Sequence, residues 1–249
     1  SEAPRLWPAV LCVLFALLAQ IASNFANEYY DYKGGLDRVG RDGPRRGVTE
    51  GDISPRSMFA ATVLTLGLAC LFGCALIIWG GFWLVAVGVF VALGVLAYST
   101  GPWPLSHHGM GEVAVVLFFG IIPVNFTYWL VSGHRPDSEV AMLSLAVGLM
   151  AANVLVVNNL RDRADDEAVG KRTLAVLYGE RFMLWLYLWN GIAATALMWP
   201  WRPWWPLLYL AVHLVISWRV ASVRGRALNP MLGITAVWMF VFVLVAGLA

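Results

Sequence analysis

Charge is what this chain has least of: Asp, Glu, Lys and Arg together make up 13% of its 249 residues, against 60% apolar residues. A mean hydropathy of +0.71 excludes a water-soluble globular domain, because so little polar surface cannot cover so large an apolar content. Cysteine is nearly absent as well. Cys12, Cys70 and Cys74 each fall inside an apolar run, where a thiol behaves as a small buried hydrophobe, so neither a disulfide framework nor a cysteine-ligated metal is expected. No ten-residue stretch alternates in the manner of a membrane barrel strand, and no low-complexity segment or soluble domain interrupts the pattern. Leu6 to Ile21 lacks the basic residues before it and the clear cleavage site after it that a signal peptide needs. The formal net charge of +2 conceals a strong sidedness and gives no ground for a nucleic-acid partner.

What the chain does have is apolar stretches of about 20 residues, the length that crosses roughly 30 Å of hydrocarbon as helix. They predict eight spans, near Leu6–Asn27, Ser57–Trp79, Gly81–Tyr98, Gly111–Val131, Glu139–Arg161, Glu180–Trp199, Trp204–Val220 and Pro230–Ala249. Gly80-Gly81, Gly101-Pro102, Pro200 with Pro203, and Asn229-Pro230 punctuate them. Eight crossings assign every loop to a side, and of 17 Lys and Arg all but Arg5, Arg135 and Arg202 fall on one. By the positive-inside rule that side is cytoplasmic. The expectation is an all-α integral protein of the cell's inner membrane, residues 1–249 forming one domain with lipid as its solvent. Trp7, Trp79, Trp83, Trp129, Trp199, Trp201, Trp204 and Trp205 lie near the opposite, shorter loops and read as an interfacial belt, not a cofactor site.

The basic side also holds most of the acids, concentrated in two long loops, 28–56 and 162–180. The first constellation runs Asn24, Asn27, Glu28, Asp31, Lys33, Gly34, Gly35, Asp37 and on through Arg41, Asp42, Arg45 and Arg46. If the helix continues past Asn27, Asn27 and Asp31 share one face, and the glycines then break it so that Asp37 folds back. In the second, Asn158, Asp162 and Asp166 recur at i, i+4 and i+8 among Asn159, Arg161, Asp165 and Lys171. Carboxylates and amides are the hard oxygen ligands that Mg²⁺ takes while also binding phosphates, and the interleaved cations suit the remaining phosphate oxygens. Either motif alone arises readily by chance, since a charge run is usually a solvated face. Both at helix ends on one membrane side describe a diphosphate clamp.

These segments resemble the two Asp-rich motifs of UbiA-type prenyltransferases, and in detail the branch that acts on 1,4-dihydroxy-2-naphthoate. The resemblance lies in Asn27-x-x-x-Asp31, Gly35-x-Asp37 and Arg41-x-Gly43-Pro44-x-Arg46-Gly47, then in Asn158-Asn159-Leu160-Arg161-Asp162-x-x-x-Asp166-x-x-x-Gly170-Lys171-x-Thr173-Leu174, with Gly109-Met110-Gly111-Glu112 and Phe118-Phe119-Gly120 as a third patch. It implies a bundle of nine helices, of which Ser1–Pro8 resembles the loop between the first and second; the first is expected to be missing from this chain. Glu28 departs from the Asp common in the family and is left out of the ligand set.

The resemblance further implies two Mg²⁺ ions on Asp31, Asp37, Asp162 and Asp166, helped by Asn27, and a polyprenyl diphosphate whose leaving group is held by Lys33, Arg41, Arg46 and Lys171. Arg45, Asn158, Asn159 and Arg161 complete the expected substrate-binding set, one arginine holding the carboxylate of an aromatic acid acceptor. Tyr98 is expected to face the allylic cation or the ring. The ring attacks the cation, and CO₂ is lost, as a step toward menaquinone. Glu112, at a helix start, and the adjacent His107 and His108 carry weaker signals. Two alternatives remain at this point: a relative prenylating 4-hydroxybenzoate, homogentisate or a lipid, and, from another class, a cation transporter, whose acids would sit nearer mid-membrane.

Overall fold

The computed structural model describes residues 3–200 and 205–248; Trp201, Arg202 and Trp204 lie outside the described residues. Among these, the regular structure is all helical. The long helices are α1 (Leu6–Lys33), α2 (Pro55–Ala75), α3 (Leu84–Ser99), α4 (Gly111–Ser132), α5 (Ser138–Ala168), α6 (Leu174–Met198), α7 (Trp205–Ser222) and α8 (Asn229–Leu248). They stand where the eight spans were expected. Six segments are long and apolar enough to cross a membrane, which makes this an integral membrane protein. The exceptions are α3, whose 16 residues give about 24 Å of helix, and α6, broken at Gly179 (φ 79°, ψ 175°).

Local chemistry sets several boundaries. Ser54 caps α2 by accepting from the Ser57 N–H at 3.1 Å with Pro55 behind it, and Asp137 caps α5 by accepting from Val140 N–H at 3.0 Å. The helix ends that matter for function overshoot their expected limits. α1 runs six residues beyond Asn27 and α5 seven beyond Arg161, so both Asp motifs begin on helix instead of in loop.

The two overshoots end alike. Gly35 (φ 66°) and Gly170 (φ 78°) take up left-handed conformations that a side chain would strain. Behind Gly35, Leu36 N–H returns to Asp31 O at 2.8 Å and Gly35 N–H to Tyr32 O at 3.1 Å; behind Gly170, Lys171 N–H returns to Asp166 O at 2.9 Å and Gly170 N–H to Glu167 O at 3.2 Å. Each is a Schellman-type stop whose glycine stands four residues after a motif aspartate. The resemblance in plan between the two loops thus has a backbone counterpart.

Helix α5 is the axis of the bundle. It packs on α4, α6 and α8, while α1 packs on α2 and α3. Its apolar residues Ala146, Met150, Val156 and Val157 are essentially buried; Val156 and Val157 cluster with Met183, Tyr187 and Ile216, and Ala146 and Met150 with Ala194, Met198 and Phe242. Outward faces carry Leu64, Leu71, Phe82, Leu93 and Leu208, all strongly exposed, as a lipid-facing surface requires. Trp7, Trp83 and Trp199 are likewise exposed.

The closest helix crossing is between α4 and α5. A π turn at Val116–Ile121 brings Gly120 against Gly148. A Cβ on Gly120 would collide with the backbone of Gly148 and Ser144, and one on Gly148 would stand 2.7 Å from the Val116 carbonyl oxygen. Small residues at such crossings replace the hydrophobic driving force that lipid removes. Gly148→Ala is therefore expected to destabilise the detergent-solubilised protein by about 1–3 kcal/mol, read as a lowered thermal midpoint. Gly67→Ala on α2, with nothing within 4 Å, should cost nothing or stabilise slightly.

Candidate active site

The sites of charge, distant in sequence, meet at one end of the bundle. Asp31, fully buried on α1, accepts from Lys171 Nζ at 2.6 Å and lies 3.2 Å from His107 Nε2. Arg41 bridges the two motifs: Nη1 donates to Asp37 Oδ1 at 2.8 Å and Nη2 to Asp162 Oδ2 at 2.5 Å. Arg46 reaches Asn27 Oδ1 at 3.1 Å and Asp37 Oδ2 at 3.4 Å, and Asn27 in turn donates to Ser99 Oγ at 3.2 Å. Arg161 grips Asp162 through Nε at 2.7 Å and Nη2 at 2.9 Å, and also donates to Asn158 and to Asn229 on α8.

An outer clasp supports this inner one. Asp165 accepts from Asp42 N–H at 2.9 Å and pairs with Arg38, while Arg226 donates to Asp42 Oδ1 at 3.1 Å. Glu28 accepts from Val48 N–H at 2.9 Å, which pins the first loop back onto α1. The Arg172 N–H donates to the His107 carbonyl at 3.2 Å, tying the segment between α3 and α4 to the second loop.

A cavity of about 60 Å³ opens between these groups, lined by Asn27, Arg41, Arg46, Tyr98, Ser106, Gly109, Gly111, Glu112, Leu155, Asn158, Asn159, Asp162, Asp166, Lys171 and Thr173. Of the expected site residues, Asp31, Asp37 and Arg161 adjoin this cluster as buried partners of its lining. Lys33 and Arg45 do not join it. Lys33 is exposed in the last turn of α1, and Arg45, its side chain 70% exposed, pairs with Asp52 at 2.9 Å and Glu50 at 3.8 Å, so neither cation points into the site. Sequence reasoning missed Ser99 and Asn229, and weighed His107 and Glu112 low; no spacing rule links His107 to an aspartate 76 residues away.

The buried acids of the site are held by arginine and lysine. Burial raises the Asp37 carboxyl above its usual range despite Arg46 and Arg41 pulling it down, and Asp37 Oδ2 is buried without a hydrogen-bond partner. Burial opposes the charge on Arg41, but Asp162 and Asp37 outweigh it and the guanidinium holds its proton more tightly than usual. Among the described residues no three His, Cys, Asp or Glu side chains are gathered as a ready metal cage; Arg41, Arg161 and Lys171 take up carboxylate oxygens instead. The donor set itself, carboxylates plus Asn27 and Asn158 with an orphaned Asp37 oxygen, fits a hard cation that arrives with phosphate.

Buried pairs of this kind are costly to break singly. Asp31→Asn should leave Lys171 buried against a neutral amide and destabilise by about 3–5 kcal/mol, measured as a lowered unfolding midpoint. The double variant Asp31→Asn with Lys171→Met is expected to recover most of that stability and none of the activity. Activity in the double variant would show that Asp31 serves only the fold.

With the geometry in hand, similarity narrows the chemistry. The profile of the UbiA prenyltransferase family matches residues 1–230. The 1,4-dihydroxy-2-naphthoate octaprenyltransferase of Mycobacterium tuberculosis is 35% identical over 97% of this chain and 84% of its own length. That of Haemophilus influenzae is 36% identical over 68% of this chain. The chain spans 57% of that relative's length and 58% of its Escherichia coli counterpart. A UbiA homologue from Archaeoglobus fulgidus, bound to GPP and Mg²⁺, superposes with a TM-score of 0.67 at 17% identity, covering 98% of this chain and 87% of that one; this likeness speaks for the fold.

Proposed function

The chain belongs to the UbiA prenyltransferase family, and we propose that it transfers a polyprenyl group from its diphosphate to 1,4-dihydroxy-2-naphthoate, releasing diphosphate and CO₂. The observation that carries this reading is the convergence of the two motifs across the Asp31–Lys171 and Arg41–Asp162 contacts, 140 and 121 residues apart in sequence. The acceptor rests on the naphthoate octaprenyltransferases to which the chain is 35 to 37% identical.

Two Mg²⁺ ions held by Asp31, Asp37, Asp162 and Asp166, with Asn27, would neutralise the diphosphate and ease departure of the leaving group. Arg41, Arg46 and Lys171 then turn from carboxylate to phosphate oxygens. This exchange of partners lets a tightly paired site admit a diphosphate without leaving any charge buried alone. Tyr98, lining the cavity at the end of α3, presents its ring to the allylic fragment. Arg161, buried and committed to Asp162, Asn158 and Asn229, positions the second motif. The polyprenyl tail lies among the helices in lipid, and the positive-inside asymmetry supports a site on the cytoplasmic face of the inner membrane.

The acceptor is tested by the fate of its carboxyl carbon. A carboxylate on the alkylated carbon must leave, so carboxyl-labelled 1,4-dihydroxy-2-naphthoate, incubated with the protein, Mg²⁺ and a polyprenyl diphosphate, should release one labelled CO₂ per diphosphate. Prenylated product that keeps the label, or faster turnover of 4-hydroxybenzoate, contradicts the assignment while sparing the prenyltransferase reading.

A further inference from the structure

Glu112, on the cavity wall, is buried without a cation partner among the described residues. It is 5% exposed; one oxygen accepts from Asn159 Nδ2 at 2.8 Å, and the other, Oε2, is buried with no hydrogen-bond partner. A helix dipole stabilises a carboxylate at the first turn of α4, but it does not account for an unpaired oxygen on a residue that lines a polar cavity, since a buried acceptor without a donor is costly. The surroundings have the shape of a ring seat. Gly111 and Leu155 line the cavity beside Tyr98, and a Cβ on Gly111 would come within 3.1 Å of Leu155 and 3.6 Å of the Tyr98 hydroxyl, so a side chain there would crowd the wall where Glu112, Leu155 and Tyr98 meet.

Resting on the naphthoate reading, we propose that Glu112 takes the proton of the acceptor's ring hydroxyl next to the alkylated carbon and later returns it. As the O–H bond gives its proton to Oε2, its electron pair becomes the second bond of a ring carbonyl. The ring's double-bond pair forms the new carbon–carbon bond, and the allylic carbon–oxygen bond breaks with its pair on the diphosphate. When the carboxylate on the same carbon leaves as CO₂, its bond pair restores the ring double bond, the carbonyl pair returns to oxygen, and Glu112 gives the proton back there. No net proton is consumed. Asn159 holds the other oxygen and is a positioning residue.

Glu112→Gln tests this, because it keeps the shape and the bond from Asn159 while removing the base. With Mg²⁺, a polyprenyl diphosphate and 1,4-dihydroxy-2-naphthoate, kcat should fall by roughly 10²- to 10⁴-fold with KM for the diphosphate unchanged. The deficit should shrink as pH rises and the acceptor hydroxyl ionises unaided; the other titratable groups of the cavity, Arg41, Arg46, Tyr98, Asp162, Asp166 and Lys171, are common to both proteins. A kcat within a few-fold of the unsubstituted protein, or a deficit equal at every pH, overturns the proposal. If the Gln variant has a lowered melting midpoint, Glu112→Asp decides: retention of the unsubstituted pH profile supports a proton passing through residue 112, and behaviour like Gln refutes it. Failure of the naphthoate reading shows separately, as absence of naphthoate turnover in the unsubstituted protein, and removes this proposal with it.

Discussion

Arg41 is the residue through which the two halves of the site hold each other. It lies in the first loop, reaches Asp37 on its own side and Asp162 on the other, and does so nearly excluded from solvent, with 9% of its side chain exposed. Lys171 makes the reciprocal reach from the second loop to Asp31. Charges buried this way return their desolvation cost only when each has a partner with good geometry. The paired members stand or fall together: Arg41, Arg46, Arg161 and Lys171 face Asp31, Asp37 and Asp162, and removing one strands another. A site that must admit a metal ion and a polyanion together is suited to such an arrangement, because the incoming charges replace internal partners one for one.

The scaffold makes that cluster possible at the edge of an apolar bundle. Were α1 to end at Asn27 and α5 at Arg161, the aspartates would sit on solvated loops. The overshoots carry Asp31, Asp162 and Asp166 up on rigid helix, and the glycine stops then turn the chain at once so that Asp37 and Lys171 come back toward the same point. Position along α5 is fixed in turn by its close crossing with α4 at Gly120 and Gly148, and α4 begins with Gly111 and Glu112 on the cavity wall. Packing deep in the bundle and chemistry at its end are therefore linked through one helix pair.

Much of this was legible in the sequence. Helices stand where hydropathy placed them, six of them apolar enough to cross a membrane, and the charge and amide spacing picked out Asn27, Asp31, Asp162 and Asp166, which fold to one end of the bundle, because helical periodicity and ligand type are local properties. The helix ends were read short, since Asp, Asn and Glu count as loop signals by composition yet are tolerated in helix when their side chains are paired. Lys33 and Arg45 were expected in the site by motif, but whether a flexible cation turns inward depends on tertiary neighbours. His107 and Ser99 were beyond reach for the same reason: their partners, Asp31 and Asn27, come from helix α1, joined to them only by folding. Glu112 illustrates a different limit. Its position at a helix start satisfied a simple rule, and only the orphaned oxygen reveals that the rule is insufficient.

The central claim is that both aspartate motifs make one metal–diphosphate site. Electron paramagnetic resonance of Mn²⁺, used in place of Mg²⁺ with geranyl diphosphate, measures it directly, since bound ion and coupling to phosphorus are both visible. Tight Mn²⁺ with phosphorus coupling should appear in the unsubstituted protein and vanish when either Asp162→Asn or Asp37→Asn is introduced. Unchanged signal after substitution in one motif would mean that the motifs act separately, and the account built on their convergence would be wrong.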